Sequence, residues 1–127
     1  MRRSPERAFE DQGAPTLELR LDSREEGNWT VLDVAGEVDL SSAPILRARI
    51  EELVHLKTQR LIVDLRDVSF MDSSGLSVLV ACMKRMREAG GELAIACPNG
   101  SILKVFTVTG LDRLFTIRPS VDEAIRA

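Results

Sequence analysis

The sequence predicts a single α/β domain with a mixed, mostly parallel β-sheet, an initial hairpin and about four helices. Two strand-like segments come first, and strand-like and helix-like segments then alternate to the end of the chain. The 127 residues are enough for one core, because a compact chain of this length hides roughly two-thirds of the surface of the unfolded chain. Hydrophobic residues make up 44% of the chain, and no internal repeat is visible.

The chain begins with a segment that we expect to lie outside the core. Residues 1–15 combine Pro, Gly, Gln and paired opposite charges with almost no apolar periodicity. We therefore expect a flexible tail there, and a domain that spans residues 16–127. Apolar residues then alternate with polar ones on both sides of a polar break at residues 23–28, which predicts a hairpin of two strands. The apolar positions are Leu17, Leu19, Leu21, Val31, Leu32 and Val34.

The next segments predict a helix and a buried strand. The helix begins within residues 39–44, where a serine can cap free N–H groups and Pro44 is tolerated in the first turn. Residues 61–65 are a short β-branched run bounded by charge, which is typical of a buried parallel strand. The apolar stripe of the helix is Leu46, Ile50, Leu53 and Val54.

A loop and then a second helix over residues 73–89 follow. The first half of this helix is apolar nearly all round, and its last turns carry cations before a pair of glycines that suits a left-handed cap. The remaining predicted elements are strands at residues 93–96 and 114–117, a helix at residues 101–109 closed by Gly110, and a short last helix that starts at a Ser120–Glu123 capping box.

Reactive side chains are scarce, and this excludes several function classes. The chain has one histidine, His55, no tyrosine, and two distant cysteines, Cys82 and Cys97, which we expect to be small core side chains. A zinc site or a disulfide framework is therefore hard to assemble. Few aromatics and a net charge of −3 argue against nucleic acid as a partner. With no signal peptide and no apolar stretch near the roughly 20 residues of a membrane span, we expect a cytoplasmic protein without membrane contact.

Residues 64–76 are the most informative stretch, because they run from a buried strand through a loop into the start of a helix. The carboxyl ends of parallel strands are the usual functional edge of an α/β sheet. Ser73 and Ser74 at this point have two interpretations. In the structural one, a serine caps the unsatisfied N–H groups of the helix. In the functional one, its hydroxyl receives or contacts a phosphate, which the helix N-terminus attracts.

Two enzymatic interpretations have less support from the residues. Asp64, Asp67 and Asp72 are carboxylates of the kind that Mg²⁺ prefers, but Asp64 follows the strand alternation and no lysine follows a second strand end as a phosphoryl-aspartate site would require. A serine nucleophile needs a histidine base, and His55 falls near the end of the first helix. We therefore predict a protein that is not an enzyme and that holds no metal and no cofactor.

Several blocks of the sequence together resemble the anti-sigma factor antagonist family, the stand-alone STAS domains of bacteria. The resemblance extends from about Leu17 to the C-terminus, and the order and spacing of the blocks make it specific. The blocks are GEVD at residues 36–39, LIVDL at 61–65, VSFMDSSGL at 68–76, the glycine pair at 90–91, and residues 106–111.

The resemblance implies a STAS fold and a switch protein. Ser73, the first serine of the DSSG stretch, would be phosphorylated by a partner that is both an anti-sigma factor and a serine kinase of the histidine-kinase-like ATPase fold. The unphosphorylated protein would bind this partner and release the sigma factor, and a metal-dependent, PP2C-type phosphatase would restore it. The neighbours of the phosphoacceptor would be Asp39, Asp72, Ser74 and Gly75.

We expect the partner to dock on the N-terminus of the second helix, the loop before it and the start of the first helix. The alternative is a STAS subunit of another regulatory complex, such as a stress-sensing assembly or a lipid-transport ATPase complex. The expected partner-binding residues are Asp39, Leu40, Ser41, Ser42, Phe70, Met71, Asp72, Ser73, Ser74 and Leu76.

Overall fold

The computed structural model describes residues 19–127, so the predicted tail at residues 1–15 lies outside the described part of the chain. The strands are β1 (Arg20–Glu26), β2 (Trp29–Val38), β3 (Arg60–Met71), β4 (Glu92–Ala96) and β5 (Thr116–Arg118). The helices are α1 (Ala43–His55), α2 (Ser73–Glu88), α3 (Gly100–Val108) and α4 (Val121–Arg126), with a short 3-10 helix at Leu111–Arg113.

The five strands form one mixed sheet in the order β1-β2-β3-β4-β5. β1 pairs antiparallel with β2, as the predicted hairpin requires, and the other neighbouring pairs are parallel. Helices connect the parallel strands, because each such connection must bring the chain back to the same end of the sheet. The predicted α/β class, with a mostly parallel sheet and about four helices, is confirmed.

The core lies mainly on one face of the sheet, where α1, α2 and α3 pack. Side chains along a strand alternate between the two faces, so Leu32 of β2 and Val63 of β3 point to this face and join its buried cluster. The opposite face holds a smaller cluster around Trp29 and Ile62, which Ala124 of α4 covers. One face of the sheet is therefore covered by three helices, and the other by the six residues of α4.

Two predicted breaks in the strands are wrong. The polar break at residues 23–28 is only a two-residue turn, because β1 continues through its charged residues to Glu26. β1 is an edge strand, where charged side chains are common and discourage pairing with another sheet. The predicted loop after residue 65 is the second half of β3. Beyond Asp64 this strand pairs with β2 but no longer with β4, so its polar side chains still reach solvent.

The ends of several elements follow from specific residues. Gly90 has a φ of 84°, which confirms the predicted left-handed cap of α2, and Gly110, predicted to close α3, has a φ of 78°. The hydroxyl of Ser120 accepts the N–H of Glu123 at 3.1 Å, which confirms the predicted cap of α4. β5 begins at Thr116 rather than at Leu114, because the turn that follows the 3-10 helix takes up residues 114–115. Within residues 19–127 no helix is both long enough and apolar enough to cross a membrane.

Candidate functional site

The candidate site lies where β2 and β3 end side by side. The two strands are parallel, so their carboxyl ends meet at the same edge of the sheet. The backbone N–H of Asp72 donates to the carbonyl oxygen of Val38 at 3.2 Å. This hydrogen bond joins the residue before Asp39 to the residue before Ser73. It therefore places the two predicted segments of the site next to each other.

Asp72 caps α2 and leaves Ser73 free. The Asp72 backbone is extended, with φ of −107°, and its Oδ1 atom accepts the N–H of Ser74 at 2.8 Å. Ser73 is the first residue of the helix and is exposed, and its hydroxyl makes no hydrogen bond to any residue between 19 and 127. The cap therefore belongs to the aspartate rather than to a serine, and the Ser73 hydroxyl faces solvent.

Gly75 lets the start of α2 approach the sheet closely. A Cβ atom at this position would lie 2.7 Å from Cγ1 of Val38 and 2.8 Å from Cγ of Met71. Both of those side chains are buried at the ends of β2 and β3. Gly75 therefore acts on the site through packing, since it fixes how near the N-terminus of α2 lies to the two strand ends.

Asp39 organises the turn before α1. Its Oδ1 atom accepts the backbone N–H groups of Ser41 and Ser42, both at 3.0 Å, and the hydroxyl of Ser41 at 2.9 Å. These hydrogen bonds, the Ser41 hydroxyl first among them, lower the pKa of the Asp39 carboxyl below its ordinary value. The predicted serine cap of α1 is wrong, because the Ser42 hydroxyl donates to the carbonyl oxygen of Glu37 at 2.8 Å. The turn thus carries a fixed negative charge.

The predicted partner-binding residues differ in exposure. Leu40 is 78% exposed and Phe70 is 47% exposed, which is notable for large apolar side chains at one edge of the sheet. Ser42, Met71 and Leu76 are buried and support the surface from beneath. The prediction that Phe70 and Met71 belong to a loop is wrong, since both are residues of β3. The partner-binding role itself stays a prediction.

The structure separates the residues of the two enzymatic interpretations. Asp64 lies within β3, and Asp72 follows eight residues later, about 25 Å along an extended chain. In the described residues, no three His, Cys, Asp or Glu side chains are grouped so that they could hold a metal ion. His55 ends α1, about 18 Å along the helix from the end that adjoins the site.

The two cysteines are free thiols in the core. Cys82 and Cys97 are both buried, and burial raises the pKa of Cys82 to about 11. Burial likewise raises the pKa of Cys97. Because the thiolate is the reactive form, both are unreactive at neutral pH. Their predicted role as small core side chains is confirmed.

Reasoning from the sequence missed a groove that begins at Ser73. It is about 470 Å³ in volume and lies between α2 and the segment that follows α3. Val80, Ala81 and Lys84 on α2 and Leu111 on the opposite wall contribute to it. The sequence signal that points to it is the first half of α2, which is apolar on nearly all sides.

The fold and the site define a small α/β domain that displays a serine at a helix N-terminus. The sequence pattern of the STAS domain matches residues 20–124. The chain is 36% identical over 103 residues to the anti-sigma-B factor antagonist of Bacillus subtilis, a match that covers 80% of this chain and 92% of that protein. The crystal structure of an anti-sigma factor antagonist from Mycobacterium paratuberculosis superposes with a TM-score of 0.81 at 27% identity, covering 89% of this chain and 95% of that one. This chain therefore belongs to the STAS-domain family of anti-sigma factor antagonists.

Proposed function

We propose that this protein binds an anti-sigma factor and thereby releases a sigma factor, and that phosphorylation of Ser73 turns the binding off. The observation that carries the proposal is the exposed Ser73 hydroxyl at the first position of α2, left free because Asp72 caps the helix. The names of the two relatives support the binding role. The protein then acts in the cytoplasm, where sigma factors meet RNA polymerase.

In this proposal the catalytic groups belong to the partners. The anti-sigma factor is itself a serine kinase of the histidine-kinase-like ATPase fold, and a PP2C-type phosphatase removes the phosphate. This chain supplies the hydroxyl and the surface around it. An exposed residue at a helix end suits both reactions, because each enzyme reaches Ser73 without unfolding the helix.

The charges at the site explain how a phosphate would act. A phosphoserine carries about −1.5 to −2 charges at neutral pH. At Ser73 it would lie next to Asp72 and close to the turn of Asp39, whose carboxyl stays ionised because its hydrogen bonds lower its pKa. The N–H groups at the start of α2 would attract the phosphate, so the fold is expected to persist.

The larger effect of the phosphate falls on the interface. A partner that buries this surface must remove water from a dianion, which costs several kcal/mol unless the partner supplies cations. Each ~1.4 kcal/mol corresponds to a tenfold change in affinity. A single phosphate is therefore sufficient to abolish an interaction of ordinary strength without any rearrangement of the domain.

Calorimetric titration with each ATPase-fold anti-sigma factor of the source genome, purified with its sigma factor removed, tests the proposal. The wild-type protein and Ser73→Ala should bind one of them with similar affinity, and Ser73→Asp should bind at least tenfold more weakly. Added to the complex of that anti-sigma factor with its sigma factor, the wild-type protein should free the sigma factor. Absence of binding would overturn the antagonist role, and tight binding of Ser73→Asp would overturn the switch.

A further inference from the structure

We infer that the groove along the outer face of α2 is a second part of the partner-binding surface, and that it accommodates an apolar segment of the anti-sigma factor with a carboxylate placed against Lys84. This inference rests on the proposed function and extends it. It requires the partner to carry an apolar segment with a carboxylate, which contact with the surface around Ser73 alone would not require.

The groove follows one stripe of α2. Residues three or four positions apart share a face of a helix, and Ser73, Leu76, Val80 and Lys84 follow this spacing along the groove. The twelve residues from Ser73 to Lys84 correspond to about 16 Å of helix. The groove therefore starts at the phosphoacceptor and extends along three turns of helix, a length that suits a short peptide segment of a partner.

The apolar character of this face is unusual for the outer side of a helix. Helices on the surface of a domain ordinarily turn charged and polar residues to solvent. Here Val80 and Ala81 are only half-buried, and Leu111 contributes a further apolar side chain from the opposite wall. Val108, beside the groove residue Thr109, is 73% exposed. Apolar side chains that stay partly open to solvent along a groove suit the packing of apolar side chains from another protein.

The charges of the groove indicate the chemistry of its occupant. Lys84 is the one charged residue among its lining, and no acidic residue lines it. The Lys84 ammonium forms no ion pair within residues 19–127, although α1 carries ion pairs along its length and another joins the starts of β3 and β4. A partner segment with apolar side chains and one carboxylate would pack against the apolar walls and form an ion pair with Lys84.

Continuity with Ser73 identifies the occupant as the same anti-sigma factor. Ser73 lines the groove, so a protein that covers this hydroxyl also covers the groove's first turn. A phosphate on Ser73 would place a hydrated dianion at the mouth of an apolar groove. The groove therefore adds to the effect of the switch, because the phosphate opposes the burial of the apolar walls as well as the approach of the Ser73 edge.

Two charge variants of the full chain test the inference by titration with the anti-sigma factor that binds the wild type. Val80→Glu and Lys84→Glu should each lower the affinity at least tenfold, with melting temperatures within about 2 °C of the wild type. Lys84 is exposed, so Lys84→Glu still tests the inference if Val80→Glu does not fold. The matched controls are Leu56→Glu, an exposed apolar residue just past α1, and Arg126→Glu on α4, and both should bind within twofold of the wild type.

The outcomes separate this inference from the proposed function. If Ser73→Asp binds weakly while Val80→Glu and Lys84→Glu bind normally, the groove inference is wrong and the switch stands. If Val80→Glu instead dissociates a homodimer in sedimentation analysis, the groove is an interface between two copies and the inference is again wrong. If no anti-sigma factor binds the wild-type chain, both the function and the groove inference fail.

Discussion

Gly75 shows how a single side-chain atom controls the position of the site. Alanine would normally stabilise a helix relative to glycine by roughly 1 kcal/mol. Here the added Cβ would meet buried atoms of Val38 and Met71 at 2.7 and 2.8 Å, so the contact has to be relieved by moving α2 or by repacking. Overpacking of this kind costs about 1–3 kcal/mol.

We predict that Gly75→Ala lowers the stability of the domain by roughly 1–2 kcal/mol in urea denaturation. The matched control is Gly100→Ala, because Gly100 also begins a helix and a Cβ there would meet nothing within 4 Å. Gly100→Ala should leave the midpoint unchanged or raise it. Equal midpoints for the two variants would show that the close approach of α2 to the strands does not constrain Gly75.

At the same scale, the sequence located the candidate serine but did not resolve the role of each residue around it. The DSSG block is enough to place Ser73 at a helix start, and it leaves open whether a serine or the aspartate caps the helix. That choice depends on the extended backbone of Asp72, which the hydrogen bond to Val38 holds in place. The hydrogen-bond donors to Asp39 could not be predicted from the sequence either, because they depend on the shape of a turn and not on a pattern of residue types.

At the scale of elements, the periodicity of apolar residues predicts which helices and strands are present better than it predicts how long they are. The buried halves of β2 and β3 are evident from their apolar residues, while the second half of β3 resembles a loop in the sequence. Its alternation is obscured because it pairs with β2 alone and its polar side chains reach solvent. The turn at the end of α1 could not be predicted from the sequence either, since the residue that adopts the left-handed conformation there is Lys57 and not a glycine.

The left-handed backbone conformation of Lys57 leads to a prediction about the stability of the domain. Its φ is 66°, and the N–H of Thr58 returns to the carbonyl oxygen of Leu53 at 3.1 Å, which is the hydrogen bond of a helix-ending turn that favours glycine. We predict that Lys57→Gly raises stability by about 0.5–1 kcal/mol. Lys57→Ala is the control, because it removes the same side chain but keeps the backbone strain, so thermal melting should show no gain. A gain of equal size in Lys57→Ala would assign the effect to the lysine charge instead.

At the scale of the whole molecule, the two faces of the sheet differ in chemistry. The face covered by α1, α2 and α3 is apolar, while the other carries a row of carboxylates on adjacent strands: Asp22, Asp33 and Asp64. Arg24 donates to Asp33 at 3.1 Å, Arg66 follows Asp64 on β3, and Asp122 of α4 faces the same cavity as Asp64. Asp64 is buried, and this burial, with Asp33 beside it, raises the pKa of the Asp64 carboxyl.

This pKa shift predicts a pH dependence of stability. A carboxyl whose folded pKa is raised binds its proton more tightly in the native state, so its ionisation destabilises the fold as the pH rises through the folded pKa. We therefore predict that Asp64→Asn raises the melting temperature at pH 7, by roughly 2–5 °C, and that the gain shrinks toward pH 4. Asp67→Asn, an exposed change on the same strand, is the control and should show no such trend. A gain that does not vary between pH 4 and 7 would contradict the assignment to Asp64 ionisation.

In the proposed switch, one hydroxyl, at Ser73, receives the phosphate that controls partner binding. Mass spectrometry of the purified chain after incubation with ATP and its cognate ATPase-fold anti-sigma factor tests it most directly, with Ser73→Ala and Ser74→Ala alongside. We expect a single phosphoryl group that maps to Ser73, is absent in Ser73→Ala and persists in Ser74→Ala. Incorporation into Ser73→Ala at the wild-type rate, or a phosphate that maps to Ser74, would contradict it.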